Sequence, residues 1–200
     1  SRGLGDVYKR QKWDYMGEKT VIVTRQHPQG HFTMGVYLVD IYCKGLLHSE
    51  YFFNMNHDDY EMMVKRIDMD EDLKKAAYAD AHKLVYGAID FAEAVGIDSE
   101  DSFDITKYIL DEKKEEIPFA EFGRNGKHYL RADTDEEAEL YIPIIMEAIG
   151  TDFTYSIEGV TDGEVDAAEV PFGDFDFSEL NYDEEEFDKM FEKLNRESQD

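Results

Sequence analysis

The stretch VDIYCKGLLHSEYFF, residues 39–53, contains the three residue types of a cysteine hydrolase. Cys43 offers a thiol nucleophile, His48 a base, and Asp40 a carboxylate that can orient the base. The spacing argues against this use, because Asp40 and Cys43 on one strand point to opposite faces. The alternative interpretation makes Cys43 a small buried apolar residue and Asp40 a hydrogen-bond acceptor in a turn.

A second group with chemical potential is Tyr78, His82 and Tyr86, which share one face of a predicted helix because they are four residues apart. In a cleft, His82 can act as a general base. The alternative is a hydrogen-bonded histidine at the edge of the core. The candidate catalytic residues of the sequence are therefore Asp40, Cys43, His48 and His82.

The sequence predicts no metal and no cofactor. The acidic run HDD at 57–59 lacks the glycine and the spaced oxygen ligands of an EF-hand. There is no HExxH zinc motif, no glycine-rich nucleotide-binding motif and no GxSxG motif. The chain has one cysteine, Cys43, which excludes a disulfide within the chain and a multi-thiolate zinc site.

The composition is strongly acidic: 47 acidic residues against 21 basic ones give a formal net charge of −26. Such a surface repels phosphate and anionic lipid, so we expect a protein partner with a basic surface and no direct binding to nucleic acid or membrane. No apolar run reaches the length of a membrane span, and a single cysteine suits a reducing compartment. A cytoplasmic location is therefore predicted.

The predicted fold class is α+β, with an antiparallel meander and a second hairpin packed against several helices. Three strand-like runs at 20–26, 31–43 and 46–55 form the meander. The middle run is apolar on both alternating faces, which indicates a central strand covered on both sides. A helix at 57–67 follows, and its apolar face comprises Tyr60, Met63, Val64 and Ile67.

A longer helix is predicted to begin at the acidic residues Asp70, Glu71 and Asp72 and to end at Gly96. Gly87 lies inside this helix and indicates the close approach of another backbone. The buried stripe of the helix is expected to comprise Leu73, Ala77, Leu84, Val85, Ala88, Ile89 and Ala92.

A short helix at 104–111 and a charged connector at 111–116 come next. The sequence GRNG then predicts a hairpin between strands at 117–122 and 127–132.

A helix is predicted over 134–149, because Thr134 and Glu137 form a capping-box pattern and Gly150 supplies a stop. Pro143 lies inside this helix and is expected to kink or split it. One further strand is predicted at 152–159.

Residues 12–158 are predicted to form a single α+β domain, and 159–200 an acidic-aromatic tail that is partly disordered or helical. Residues 172–200 contain eleven acidic and three basic residues. Acids interleaved with aromatic residues are typical of a segment that binds a partner. The predicted partner-binding residues are Phe172, Phe175, Phe177, Tyr182, Phe187 and Phe191.

The opening segment SRGLGDVYKRQ, residues 1–11, resembles translated sequencing-adapter read-through that recurs in metagenomic reading frames. It carries three cations and one anion, opposite in sign to the rest, and has no strand or helix period. We therefore predict that residues 1–11 are a non-native artefact, and we exclude them from the predicted fold.

Two blocks, GVYLVDIYCKGLLHSEYFF and AHKLVYGAIDFAEAVGI, resemble a group of poorly characterised intracellular bacterial proteins. The group usually has Lys and Asp where this chain has Leu47 and His48. Some members carry a cysteine-rich SEC-C zinc tail, which this sequence lacks, so the resemblance implies a related fold without a zinc site or a particular activity. The matching positions are Tyr37, Asp40, Cys43, Gly45, Tyr51, His82, Gly87 and Gly96.

Three hypotheses for function follow. The leading one is a non-enzymatic protein-interaction or regulatory module, which the charge, the tail and the lack of catalytic motifs favour. The second is a hydrolase or nuclease-like enzyme, which requires the four candidate catalytic residues to converge in one cleft. The third is a DNA-mimic inhibitor, which would have the same negative charge.

Overall fold

A five-stranded antiparallel sheet, with strands in the order β4-β3-β2-β1-β5, is the framework of the protein. The computed structural model describes residues 3–10, 17–71 and 73–157. The strands of the sheet are β1 (Gly3–Arg10), β2 (Glu18–Gln26), β3 (Phe32–Asp40), β4 (Gly45–Met55) and β5 (Leu73–Lys75).

In addition to the sheet, the described residues form four α-helices and one pair of parallel strands. The helices are α1 (His57–Glu71), α2 (Tyr78–Glu93), α3 (Phe103–Thr106) and α4 (Asp135–Ile149). Strands β6 (His128–Ala132) and β7 (Phe153–Ile157) pair in parallel, and α4 connects them as in a βαβ unit. The α+β class and the meander are confirmed.

The sheet is covered on both faces, as the apolar pattern of the run at 31–43 predicts for β3, whose Val39 and Met34 belong to different cores. Val21 and Val23 of β2 belong to a core shared with α2, while Ile22 between them belongs to a second core shared with α1. Alternate side chains of a strand point to opposite faces, so each run of apolar residues supplies both cores. Each fully buried side chain of this size contributes roughly 2 kcal/mol to stability.

The start of the long helix is predicted wrongly. Helix α1 continues to Glu71, Leu73 lies in strand β5, and α2 begins only at Tyr78, after Ala77. The reason is long-range pairing: β5 pairs with β1, and the Ala76 N–H donates to the Val7 carbonyl at 2.9 Å. These backbone bonds override the local helix preference.

The predicted helix at 104–111 is also shorter than expected. It consists of α3 and one 3₁₀ turn, Lys107–Ile109. The end predicted for α2 is confirmed, because Gly96 has φ +82° and the Ile97 N–H donates to the Ala92 carbonyl at 3.1 Å.

Of the second hairpin predicted from the sequence, only the turn at GRNG forms. Arg124 and Lys127 exchange backbone hydrogen bonds of 2.8 and 3.1 Å around the GRNG turn. The predicted strand at 117–122 is instead a 3₁₀ turn, Phe119–Glu121, and the sheet partner of β6 is β7. The cause is Phe122, which is buried against α2 rather than paired with β6.

Gly87 marks a close approach, but an aromatic ring approaches it, not another backbone. A Cβ at Gly87 would lie 2.7 Å from Cε2 of Phe122 and 3.0 Å from Cγ2 of Ile117. The missing side chain therefore makes room for Phe122 on the helix surface.

Helix α4 begins and ends where the sequence predicts. The Glu137 N–H donates to Thr134 Oγ1 at 3.1 Å, and Gly150 has φ +64°. The helix is continuous through Pro143, so of the two predicted effects, a kink or a split, the split is wrong. The last predicted strand is confirmed as β7.

Gly3–Arg10 of the opening segment form strand β1 of the sheet, so the exclusion of residues 1–11 from the predicted fold is wrong for these residues. Strand β1 lies between β2 and β5, and Val7 is buried. Asp6 accepts hydrogen bonds from Lys75 Nζ at 2.9 Å and from the Tyr60 hydroxyl at 3.2 Å. The origin of the segment stays a prediction, and the tail from residue 159, with its six aromatic residues, lies outside the described residues.

A substitution in β1 tests whether this strand supports the fold. Val7→Asp places a charge in the core, so we expect the free energy of unfolding to fall by about 3 kcal/mol. The control is Leu4→Asp, because Leu4 lies on the same strand but is 48% exposed. Urea denaturation measures both; equal stabilities of the two variants would show that β1 does not support the domain.

Candidate functional site

The turn after β3 is built around the buried carboxylate of Asp40. Its Oδ1 accepts from the Tyr42 N–H at 2.9 Å, and its Oδ2 accepts from the N–H groups of Cys43 at 3.2 Å and Lys44 at 2.8 Å. Burial raises the pKa of Asp40, while these N–H donors and the Lys44 charge oppose the rise. Both carboxylate oxygens serve the turn, as the alternative interpretation of this residue predicts.

Cys43 is fully buried inside the same turn. Burial, and then the charge of Asp40, raise the pKa of the Cys43 thiol far above its ordinary value. A nucleophilic cysteine needs access and a lowered pKa, and Cys43 has neither. The thiol therefore packs as a small apolar group.

The backbone of the turn at residues 41–44 is hydrogen-bonded to three other parts of the fold: Gly17, the GRNG turn and β6. Ile41 donates its N–H to Gly17 at 2.9 Å and accepts from the Gly123 N–H at 2.8 Å. The Tyr42 carbonyl accepts from the Tyr129 N–H of β6 at 3.0 Å. The turn thus connects the five-stranded sheet to the GRNG turn and to β6.

An ion pair connects the same turn to α4. Lys44 Nζ donates to Glu137 Oε1 at 2.8 Å, and the Lys44 side chain is largely buried. Burial raises the pKa of Glu137, but the hydrogen bonds from Lys44 and from the Asp133 N–H outweigh this effect and hold the pKa below its ordinary value.

Gly45 lets β4 begin directly against α2. It has φ +72°, and a Cβ there would lie 2.6 Å from the Ala92 Cβ and 3.0 Å from the Ala88 carbonyl oxygen. Only glycine adopts this conformation without strain and permits so close an approach.

The two candidate histidines contact other parts of the chain. His48 is exposed, and its Nδ1 lies 3.4 Å from Glu100 Oε1. His82 Nε2 lies 2.8 Å from the Asp111 carbonyl oxygen. Within the described residues no hydrogen bond joins Cys43 to either histidine, and no group of three or more His, Cys, Asp and Glu side chains could hold a metal ion.

His82 does line a cleft, of about 460 Å³, between the start of α2 and the connector at 111–118. The rings of Tyr78 and Tyr86 lie 5.7 and 4.7 Å from the His82 ring. The predicted cluster on one helix face is thus present, and the bond from His82 to the connector fits the alternative interpretation of a hydrogen-bonded histidine at the edge of the core.

Arg25 bonds to two of the residues that line this cleft, and its role was not predicted from the sequence. Its Nε donates to the Ile109 carbonyl at 2.7 Å, and its Nη2 contacts the Tyr78 hydroxyl at 3.0 Å and Asp111 Oδ1 at 3.2 Å. The Tyr78 hydroxyl also accepts from the Asp111 N–H at 2.7 Å. The polar groups of Arg25, Tyr78 and Asp111 are therefore already bonded to one another, and these bonds join β2 to α2 and to the connector.

A chain of hydroxyl groups joins α3 to the sheet. Ser49 Oγ lies 2.7 Å from Ser102 Oγ and 2.8 Å from Thr106 Oγ1. The Ser49 N–H donates to Ser102 Oγ at 3.2 Å, and the buried Tyr37 hydroxyl donates to the Thr106 carbonyl at 2.8 Å. Ser102 in turn donates to Glu100. The segment at 98–106 is thereby fixed against the first half of β4.

Large apolar side chains are exposed next to this contact. They are Tyr51 and Phe53 on β4, and Ile105 and Tyr108 on α3 and the following 3₁₀ turn. Segment 98–116 also contains eight acidic residues, all of them exposed, and three lysines. Exposed acids together with exposed apolar residues, a combination predicted only for the tail, therefore occur in the described domain too.

Comparisons with protein-family models, with curated proteins and with solved structures gave no match. Among the described residues, no helix is both long and apolar enough to cross a membrane.

Removal of the Asp40 carboxylate tests its role in the turn. Asp40→Ala leaves three N–H groups without their acceptor, so we expect the free energy of unfolding to fall by about 3 kcal/mol or more. Asp40→Asn keeps one oxygen acceptor and should cost less. Asp98→Ala removes an exposed acid and sets the background for chemical denaturation. If Asp40→Ala were as stable as Asp98→Ala, the turn would not depend on the carboxylate.

The reactivity of the one cysteine tests its burial directly. In the folded protein Cys43 should react with a thiol-specific disulfide reagent at least about a hundredfold more slowly than in urea, because reaction requires opening of the fold. The variant Thr151→Cys supplies an exposed second thiol as the control. A Cys43 reaction as fast as that of the exposed thiol would restore the hydrolase hypothesis.

Proposed function

We propose that the protein is a non-enzymatic interaction module that binds a protein partner with a basic surface. The observation that carries this proposal is the combination, on the described domain, of exposed apolar side chains with a dense set of exposed acids at 98–116. Interfaces commonly have an apolar centre and a polar rim.

The charge of the chain supports the same partner. A formal net charge of −26 steers a cationic protein toward this surface and repels anionic ones. The acids at 98–116 are interleaved with the apolar Ile105 and Tyr108, which a mimic of the phosphate backbone does not require. The proposal of an interaction module is therefore favoured over that of a DNA mimic.

The enzyme hypothesis has less support from the geometry. Asp40 is bonded to its own turn, Cys43 is inaccessible, and the contacts of His48 and His82 belong to other segments. A hydrolytic mechanism through these four residues would need a different arrangement of side chains.

Selection from a random peptide display library tests the proposal with the full-length protein. We expect the enriched peptides to combine Lys or Arg with apolar residues, and their affinity to fall at least about tenfold between 0.1 and 0.5 M salt, because screening weakens the attraction. In a separate measurement at low salt, deletion of residues 160–200 should weaken peptide binding relative to the full-length protein and leave the domain folded. The reason is that the aromatic residues of the tail are predicted to bind the partner. Enrichment of neutral or acidic peptides, or no enrichment, would contradict the proposal.

A further inference from the structure

We infer that the uncovered half of β4, residues 50–55, is an edge at which an extended basic segment of the partner adds as a sixth strand of the sheet. This inference rests on the proposed function and names the surface and the mode of binding. Addition of a strand to an open sheet edge is a common way for proteins to recognise extended peptides.

Strand β4 is at the edge of the five-stranded sheet, with β3 on its inner side and no strand of the described residues on its outer side. It pairs with β3 from Asp40↔Gly45 to Phe32↔Met55. An edge strand presents unpaired N–H and C=O groups, which natural proteins cover or guard.

The first half of this edge is covered. Gly45 packs against α2, and the Ser49 N–H donates outward to Ser102 Oγ rather than inward to β3. Segment 98–106 therefore covers the edge as far as Ser49.

The second half of the edge is open. In an antiparallel pair the backbone groups of successive residues point alternately toward and away from the partner strand. The backbone N–H of Ser49 points away from β3, so the backbone N–H and C=O of Tyr51, two residues later, point away from β3 as well. Within the described residues, no backbone or side-chain group is bonded to these outward groups of Tyr51. An added strand would pair with this N–H and C=O.

The residue directly opposite Tyr51 on β3 has no side chain of its own. This residue is Gly35, and the space over Gly35 holds the Tyr37 hydroxyl, 2.6 Å from where a Cβ would lie. A strand added on the outer side would place its own side chains beside Tyr51 and Phe53, which are exposed, and cover both.

The charge around the open half favours a basic strand. Strand β4 contains no lysine or arginine, the usual guards of an exposed edge. Glu50 on β4 is exposed, as are Glu100, Asp101 and Asp104 on the segment that bonds to Ser49. A second copy of this chain would bring the same negative charge to the edge, whereas a segment with Lys or Arg complements it.

The open stretch is short. The register shifts between Phe52 and Met55, and Asn54 has φ +57°, so regular pairing extends only to about Phe53. The structure therefore fits a brief strand-like motif in the partner rather than a long added strand.

A defined probe tests the inference: an eight-residue peptide of alternating lysine and valine, added to the full-length protein. Its matched control has the same sequence with N-methyl groups on alternate backbone nitrogens, which keeps the charge and removes the donors of one edge. We expect the N-methylated peptide to bind at least about tenfold more weakly, and the unmodified peptide to slow hydrogen exchange of the Tyr51 amide at least about tenfold.

Two substitutions locate the site. Phe53→Lys and Met62→Lys add the same charge at side chains that are 64% and 65% exposed, but Met62 lies on α1. We expect Phe53→Lys to lower the affinity for the unmodified peptide at least about tenfold. Met62→Lys should change this affinity about twofold or less. Tyr51→Lys serves as the second edge variant if circular dichroism shows that Phe53→Lys is misfolded.

The outcomes separate this inference from the proposed function. If basic peptides bind but N-methylation and the edge variants have no effect, strand addition at β4 is wrong and the interaction module stands. If no basic peptide binds, the proposed function fails. If sedimentation shows a dimer whose Tyr51 amide is protected without peptide, the occupant of the edge is a second copy and the inference is overturned.

Discussion

The fold depends on one buried carboxylate that accepts three backbone hydrogen bonds. Asp40 fixes the turn between β3 and β4, and this turn contacts Gly17, the GRNG turn and β6 through its backbone, and α4 through Lys44. A buried charge is costly unless its partners are complete, so the turn has a single well-defined conformation. That conformation places the parallel β6–β7 unit against the sheet and starts β4 at the surface of α2.

Several of the positions on which the predicted resemblance rests are residues of packing. Cys43 fills the interior of the turn, and Gly45 allows the contact with α2. Tyr37 donates from the core to Thr106, and Gly87 accommodates Phe122. Tyr51 differs from the other residues that carry the sequence resemblance, because it is an exposed aromatic residue on a sheet edge. In the stretch at 39–53, the surface available to a partner is thus at Tyr51 and not at the buried Cys43.

The same segment that completes the core also delimits the candidate binding surface. Segment 98–106 covers the edge of β4 as far as Ser49 and adds its own acids and apolar side chains beside the open half. Exposed aromatic residues, unpaired strand groups and negative charge then occur together, which is the combination that an extended basic partner requires. The charge follows from the composition, but the exposed aromatic residues and the unpaired strand groups do not follow from a sequence motif, because both depend on which part of β4 is covered.

The sequence by itself determined the elements whose signals are local. These include strands β2 to β4, the capped helix α4, and the glycine stop of α2, since alternation, caps and turn residues act over a few positions. It also indicated that Asp40 could serve a turn and Cys43 could be buried. Only the tertiary structure placed the Asp40 carboxylate in the turn and buried Cys43, added β1 and β5 to the sheet, and paired β6 with β7 in parallel. These outcomes depend on contacts between residues far apart in the chain, for which local periodicity contains no information.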